Sequence, residues 1–528
     1  MKNYFYLIIA LHLLFSQRAF SQQQMLPLGI AYKQQISFQI NKTNSPINTG
    51  FKPLIKSEVN KIIDIDSVLY NYERKEEFFN KHKENWFWKA LFFDNFISLE
   101  KKGFNLYVNP LLYLELGEIN ETGESYYINT RAIEIKGDIG KKLSFYSSFR
   151  ENQAKFRPYI YNWAWNRLVV PGQGAMKKNY NDIDKYDFSS ASAYLSYTPV
   201  SWLNIQFGQD KNFIGEGHRS LLLSDNSMNY PFAKFSFTYK SFKYVTLFTE
   251  FRDFETAYYY YHFKKHGAFN YLSYNYKNRF EIGIFEGAIY QTTDTTAGYY
   301  NKFTADYFIP ILGVRTAVNG FGANHNVLAG INAKLKITDY IQAYGQIAID
   351  EPSTKKLAYQ GGLKVFDVLH ERLDGHNLYF QVEYNLAKPR TYSHTDIKYQ
   401  TWSHYKQELA HPAGSDFKEI FINTNYKFKS FILDYKYSIL TMNNQSSFSS
   451  IYSLDNSLDG IIILIPPTPY KIKHSTLTAA YIINPRTNMQ IYAGFDFRTI
   501  EQGKFPTYKS SYIMFGIRTG LNNFYYDF

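Results

Sequence analysis

The 528-residue chain contains no cysteine. Disulfide staples and a lipidated N-terminal cysteine are therefore both excluded. Past the first two dozen residues there is no run of eighteen apolar residues either, so no segment reads as a membrane-crossing helix. Phosphate-loop chemistry is missing, because no Gly-Lys-Ser/Thr follows the glycine-rich stretches. No Ser/His/Asp arrangement or nucleophile elbow stands out, and no blade or solenoid motif recurs. Charge of one sign is only mildly in excess, with 58 basic residues against 46 acidic ones. That surplus suits solubility and contact with anionic lipid headgroups rather than nucleic acid. If such a chain enters a membrane, it must do so as a closed sheet, which pairs every backbone amide without helices.

What the sequence has in abundance is rings. Aromatic residues make up 19% of it, led by 49 Tyr and 45 Phe, while mean hydropathy is slightly polar at −0.37. Membrane barrels place amphipathic rings in girdles at both interfaces. The stretch 327–350 shows the matching periodicity. Val327, Ala329, Ile331, Ala333, Leu335 and Ile337 alternate with Asn332, Lys334 and Lys336, a polar turn follows at Thr338 and Asp339, and the alternation resumes through Ile341, Ala343, Gly345, Ile347 and Ile349. Strands of about ten residues with one apolar and one wet face can cross a bilayer when tilted. The same pattern recurs at Ala191–Phe207, Ala233–Leu247 and Leu378–Tyr384. Short turns fall on one side, and long Asn/Gly/Asp/Tyr-rich loops at 155–185, 385–417 and 441–470 on the other. Outer-membrane barrels have tight periplasmic turns and long outer loops, and the roughly 425 residues concerned make about 16 to 18 strands.

The ends carry their own signals. Lys2, the apolar Tyr4–Phe15 and the small-x-small Ala19-Phe20-Ser21 read as a secretory signal over residues 1–21, cleaved near Ser21-Gln22. Residues 22–100 read as a periplasmic lead-in, loosely ordered to about Pro53. They continue into one or two amphipathic helices whose stripe of Trp88, Leu91, Phe92 and Phe96 is expected to bury in the barrel's periplasmic mouth. A membrane-surface helix is the alternative, which Glu84, Asp94 and Glu100 oppose by repelling anionic lipid. The barrel is assigned to residues 101–528. Its end, with Phe524, Tyr526 and Phe528 on one face, resembles the terminal strand that such barrels present to their assembly machinery.

Several clusters invite a chemical reading. Residues 207–231 crowd glycines among Asp210, Asn212, Arg219 and Asp225, which suits a plug or constriction loop held by its own ion pairs, or else a polysaccharide or peptide contact. Glu286 and Glu383 lie on strands, Glu383 by its alternation on the wet side. Paired carboxylates can hydrolyse glycosides, but lumen carboxylates paired with Arg or Lys are commoner. His394, His404 and His411 share a loop-rich stretch without a metal-ligand spacing. Tyr392, Trp402 and Tyr405 could stack on sugar rings or pack internally. No cofactor and no enzymatic activity are expected.

Five separated motifs carry a family resemblance. They are Asn129–Gln153, Phe207–Asn226, Phe280–Tyr290, Ala343–Glu351 and Val382–Phe417. From about residue 85 onward the chain resembles the Wzi capsule-assembly superfamily, and within it the gliding-motility RemB branch. The resemblance implies an antiparallel outer-membrane barrel of about eighteen strands with a small N-terminal helical element, seated among outer-membrane lipid and lipopolysaccharide. The expected task is gliding motility through surface polysaccharide or adhesin partners. Attachment of capsule or exopolysaccharide is the first alternative, and a diffusion channel the second.

Overall fold

In the computed structural model the described residues are 23–69, 85–179, 182–254, 263–291, 305–320, 325–351, 355–369, 375–393, 400–443, 469–520 and 523–528. Residues 1–21 and Glu84 lie outside them. Eighteen antiparallel strands, from Phe104–Ile119 to Tyr508–Thr519, form a closed barrel. Closure runs from Tyr512 opposite Ile119 to Arg518 opposite Tyr113. The other half of that first strand takes the short strand Ile97–Lys101, with Ile97 opposite Val108. No helix among the described residues is long and apolar enough to cross a membrane, which says nothing of strands.

The period-two pattern sets the two faces of the wall. In Asn326–Lys336, Ile331 and Leu335 are exposed outward, whereas Leu328, Asn332 and Lys334 are buried in the lumen. Exposed Trp202, Tyr239, Phe242, Tyr276 and Phe280 flank the short turns and ring that end of the barrel. The helix Trp86–Phe92 belongs to the same rim. Its Asn85 cap accepts from the Trp88 amide, and the Asn484 side chain donates to the Ala90 and Asp94 carbonyls at 2.9 and 3.0 Å. Contrary to the expectation of burial in the mouth, Trp86 is 59% and Phe87 51% exposed, with Trp88 and Phe96 also facing out. Large rings beside a lipid-facing wall gain more at the membrane interface than in an already filled mouth.

The lead-in departs further from its loosely ordered reading. The helix Ile30–Lys42 lies across the short-turn mouth, where the Asn41 amide donates to the Thr338 and Asp339 carbonyls. Tyr32, Ile36 and Ile40, one helical face at i, i+4 and i+8, pack on Leu54, Val59, Ile65 and Leu69 of the following residues. Thirteen residues make only a marginal helix alone, so this burial holds it. Phe51–Lys52 then pairs with Phe213–Ile214 as a two-stranded ribbon inside the barrel.

Among the described residues, five stretches of chain fill the lumen. They are residues 23–55, residues 156–176, the loop 211–229, the loop 400–413 and the tail 523–528. Strand pairing ends at Thr519, so Phe524, Tyr526 and Phe528 do not extend the last strand but turn inward. Glycine makes room for this filling at Gly330, where an added Cβ would lie 2.3 Å from Leu222 Cδ2 and 2.9 Å from the Ile347 carbonyl. We expect Gly330→Ala to destabilise by about 1–3 kcal/mol through overpacking, read as a lowered unfolding midpoint in detergent. An unchanged midpoint would show that the loop does not press on the wall.

Candidate functional site

The loop 211–229 leaves the strand Leu203–Asp210 and doubles back to Tyr230–Tyr239, which forces a glycine-rich chain into the barrel interior. Leu221, Leu222 and Leu223 at its tip are fully buried. Three ion networks fasten it, and each reaches a partner outside the loop. The Lys52 ammonium donates to Glu216 at 3.2 Å and to the Gly215 and Thr49 carbonyls. Asp225 accepts from the Tyr525 hydroxyl at 2.7 Å and from the Asn523 amide at 3.0 Å, with Lys33 at 3.5 Å. Arg219 is the centre of the third, bonded to Glu419 at 3.3 Å and to Asp527 at 3.2 Å. The expectation that the loop is held by its own ion pairs is corrected here. Its charges pair with distant stretches because a loop inside a barrel meets wall, N-terminal segment and tail at once.

Glu383 sits beneath this centre. Its carboxylate accepts the His218 and Arg219 amides at 2.8 and 3.2 Å, the Tyr344 hydroxyl at 2.8 Å and the Asn385 side chain at 2.9 Å. Glu419 accepts from Asn385 at 2.9 Å and from His411 at 2.7 Å. The Ala413 amide donates to His411 Nδ1, so the proton shared with Glu419 is on Nε2. His218 stacks on Phe421 with ring centroids 4.0 Å apart and lies 3.5 Å from Asp527. Burial pushes the His218 imidazole down to about 4, although Asp527 works the other way. Burial likewise takes His404 down to about 3.

Those two shifts have a sign. An imidazole ordinarily near 6.5 that is neutral in the folded state stabilises fully above 6.5, and that stability is lost as the pH falls toward the folded value. Unfolding midpoints are therefore expected to fall progressively between about pH 6.5 and 4, and His218→Gln to flatten part of that slope. A midpoint independent of pH across this window would contradict the burial of these rings.

The remaining residues singled out in the sequence divide clearly. Asp210 accepts the Lys211 amide at 2.9 Å, and the Asn212 side chain accepts from Lys234 at 3.0 Å. The Tyr392 hydroxyl donates to the Leu221 carbonyl and Trp402 Nε1 to the Leu222 carbonyl, both at 2.9 Å. Trp402 is buried edge-on between Phe269 and Phe285, so neither it nor Tyr392 presents a ring to solvent. The Arg252 amide donates to His404 Nδ1, and Tyr405 is half-buried against Phe254. His394 falls outside the described residues. Glu286 is apart from all of these: its alternation places it on the outer face of the wall, so it shares no site with Glu383. Among the described residues no cluster of three or more His, Asp or Glu side chains is arranged to hold a metal ion.

Under the plug a chamber of about 400 Å³ remains beside the mouth helix, touched by Gln34, Arg157, Lys436, His474, Arg518 and Tyr526. Arg157 clamps Asp496 at 2.7 Å and Glu115 at 2.9 Å, and His474 bonds Asp496 at 2.8 Å. The next residues, Pro158–Arg167, form a helix that packs Tyr159 on Phe528 and His474. Glu216 and His218 lie in the crowded segment 207–231 and Glu419 beside the histidine-bearing stretch, whereas Arg157, Lys52 and Asp527 are passed over by the sequence reading; of these three only Arg157, placed before a helix-starting proline, carries a local signal.

No family model and no curated protein matches the sequence. Among solved structures, the chain is similar to Wzi, an outer membrane protein involved in group 1 capsule assembly in Escherichia coli and described as a carbohydrate-binding β-barrel. The TM-score is 0.55 at 11% identity, over 94% of this chain and 100% of that one. The chain has a Wzi-like fold. It also aligns with OccAB2 of Acinetobacter baumannii (TM-score 0.40, 10% identity, 78% and 97% of the two chains) and OpdK of Pseudomonas aeruginosa (0.42, 9%, 79% and 97%). The Wzi-like fold is that of an outer-membrane β-barrel.

Proposed function

We propose that the protein is a non-enzymatic outer-membrane barrel that holds an extracellular polysaccharide at the cell surface and does not pass solutes. The observation that carries this reading is the occupied lumen. Stretches distant in the chain meet there in buried ion networks, a construction that costs conformational entropy and stabilises a fixed scaffold. A channel needs a continuous wet path, whereas a scaffold needs rigid footings for its outer loops. The similarity to a barrel described as carbohydrate-binding supports the choice of glycan as ligand. The Glu383 and Glu419 oxygens are engaged by protein donors, which leaves that pair no room for a substrate.

Deleting the gene tests the proposal. Surface polymer is expected to appear in the medium at unchanged chain length, and purified protein to retain that polymer on a filter. Polymer that stays on the deleted cells would contradict it. The motif resemblance to the RemB branch adds a second reading, in which the retained polymer or an adhesin serves gliding. Deletion would then also impair spreading on agar while growth and secretion continue, and normal spreading would remove this reading.

A further inference from the structure

The connection between the strands Phe280–Gln291 and Asn326–Lys336 does not stay at the barrel's rim. Its residues 305–320 run back over the outside of the wall, and the register shows what they cover. Thr246 is opposite Asn270, Asn270 opposite Glu286, and Glu286 opposite Ala329. Residues directly opposite share a face. Phe269, Phe285 and Leu328, one position along each of the last three strands, line the lumen, so the row points outward. On either side it continues with Phe235 and Ile349. Three polar side chains, one of them a carboxylate, thus interrupt an apolar row on the lipid-facing surface. A charge there is costly unless something covers it.

The segment covers it group by group. The Thr246 hydroxyl donates to Asn270 Oδ1 at 2.9 Å, and the Asn270 amide donates to the Ile309 carbonyl at 3.3 Å. Glu286 accepts the Gly313 amide at 2.9 Å and the Thr316 amide at 3.0 Å, and also the Thr316 hydroxyl. These are free N–H groups at the start of the short helix Val314–Asn319. The Tyr244 hydroxyl donates to the Pro310 carbonyl at 2.6 Å. Arg315 is fully buried and bonds the Ala268 and Ile309 carbonyls at 3.1 and 3.0 Å. Beside the polar row, Ala268 and Ala288 leave a hollow that Tyr307 fills, its hydroxyl shared between the Thr249 and Gly267 carbonyls.

The outer side of the segment is the reverse of this. Phe308 is 56%, Ile311 58% and Val318 70% exposed, continuing the band of exposed Ile284, Ile331 and Ile347 on the neighbouring wall. Polar groups turned inward and paired, with apolar groups turned outward, is the arrangement required where water is missing. We propose that residues 305–320 are a clasp embedded in the bilayer, its outer face against lipid acyl chains and its inner face held by the Thr246–Asn270–Glu286 row.

Because the chain has no cysteine, a single introduced thiol reports one site. The probe is a nitroxide on Val318→Cys, with Ile347→Cys on bare wall as reference, in the full-length protein reconstituted into phosphatidylethanolamine–phosphatidylglycerol vesicles. Both labels are expected to collide with oxygen in preference to a water-soluble nickel chelate. A Val318 label that favours the nickel chelate would overturn the proposal, as would one shielded from both reagents by a second copy. In the background Glu286→Ala the Val318 label is expected to become mobile and to switch its preference to nickel, with Ile347 unchanged. A Val318 label indifferent to that substitution would overturn the role of the row. Glu286→Gln, which keeps the volume, carries the same comparison if the alanine variant loses the Ile347 signal of a folded wall.

Discussion

Arg219→Ala is expected to destabilise the folded barrel by about 3–5 kcal/mol, the range for breaking a buried ion pair by removing one partner. Arg219 is fully buried, and its guanidinium faces Glu419 on the wall and Asp527 in the tail. Removing it leaves two carboxylates without their main cation, Glu419 fully buried and Asp527 at the edge of the chamber. Asp527 suffers most, since Arg219 and then His218 hold its carboxyl well below the usual range against burial. Arg219→Lys keeps a charge but cannot fork to two acceptors, so it is expected to fall between the alanine variant and the native protein. The check is urea unfolding in detergent with the tail's protease sensitivity followed in parallel. The tail should become cleavable in Arg219→Ala before the wall unfolds. A change below about 1 kcal/mol, the size found for exposed pairs, would mean that the cluster is wet and the plug loose.

Trp402→Ala has an expected effect of similar size, about 3–5 kcal/mol for a large buried ring. The indole packs edge-on to Phe269 and Phe285 with centroids 5.5 and 6.3 Å away, over Gly287, which has no Cβ to obstruct it. Its Nε1 is also the donor to the Leu222 carbonyl at the tip of the inserted loop. Truncation opens a cavity and leaves that carbonyl unpaired, and no wall residue can close the gap without bending the sheet. Trp402→Phe restores part of the volume and none of the hydrogen bond, so it should recover part of the loss. The same variants separate packing from sugar stacking. Glycan retained per folded molecule is expected to be unchanged in Trp402→Phe, and a selective loss of binding at full stability would reassign the ring to a ligand.

The wall was legible in the sequence, and the filling mostly was not. Strands such as Asn326–Lys336 announce themselves because lipid outside and polar lumen inside impose a period of two on every residue. Plug residues obey no such period. Arg219, Asp527 and Glu419 are separated by hundreds of positions, and only the closed barrel brings them together. Glycine and charge density did single out the loop 207–231, but its partners at Lys33, Lys52 and Asp225's neighbour Tyr525 had no local mark. The helix Ile30–Lys42 was visible only as Tyr32, Ile36 and Ile40 within a polar stretch. At the C-terminus the alternation of Phe524, Tyr526 and Phe528 mimics a strand, yet these rings bury in the lumen against Tyr113, Phe156 and Tyr159. Glu286 reads from the sequence as a lumen acid, since a carboxylate facing lipid contradicts the pattern. The covering segment that makes it tolerable comes from elsewhere in the chain.

Planar-bilayer recording of the intact, refolded protein tests the central claim most directly, namely that this barrel's own chain closes it. The expected record is a quiet bilayer under steady voltage, with conductance appearing only when the plug is released, as in Arg219→Ala. A stable open conductance from the native protein would contradict the account.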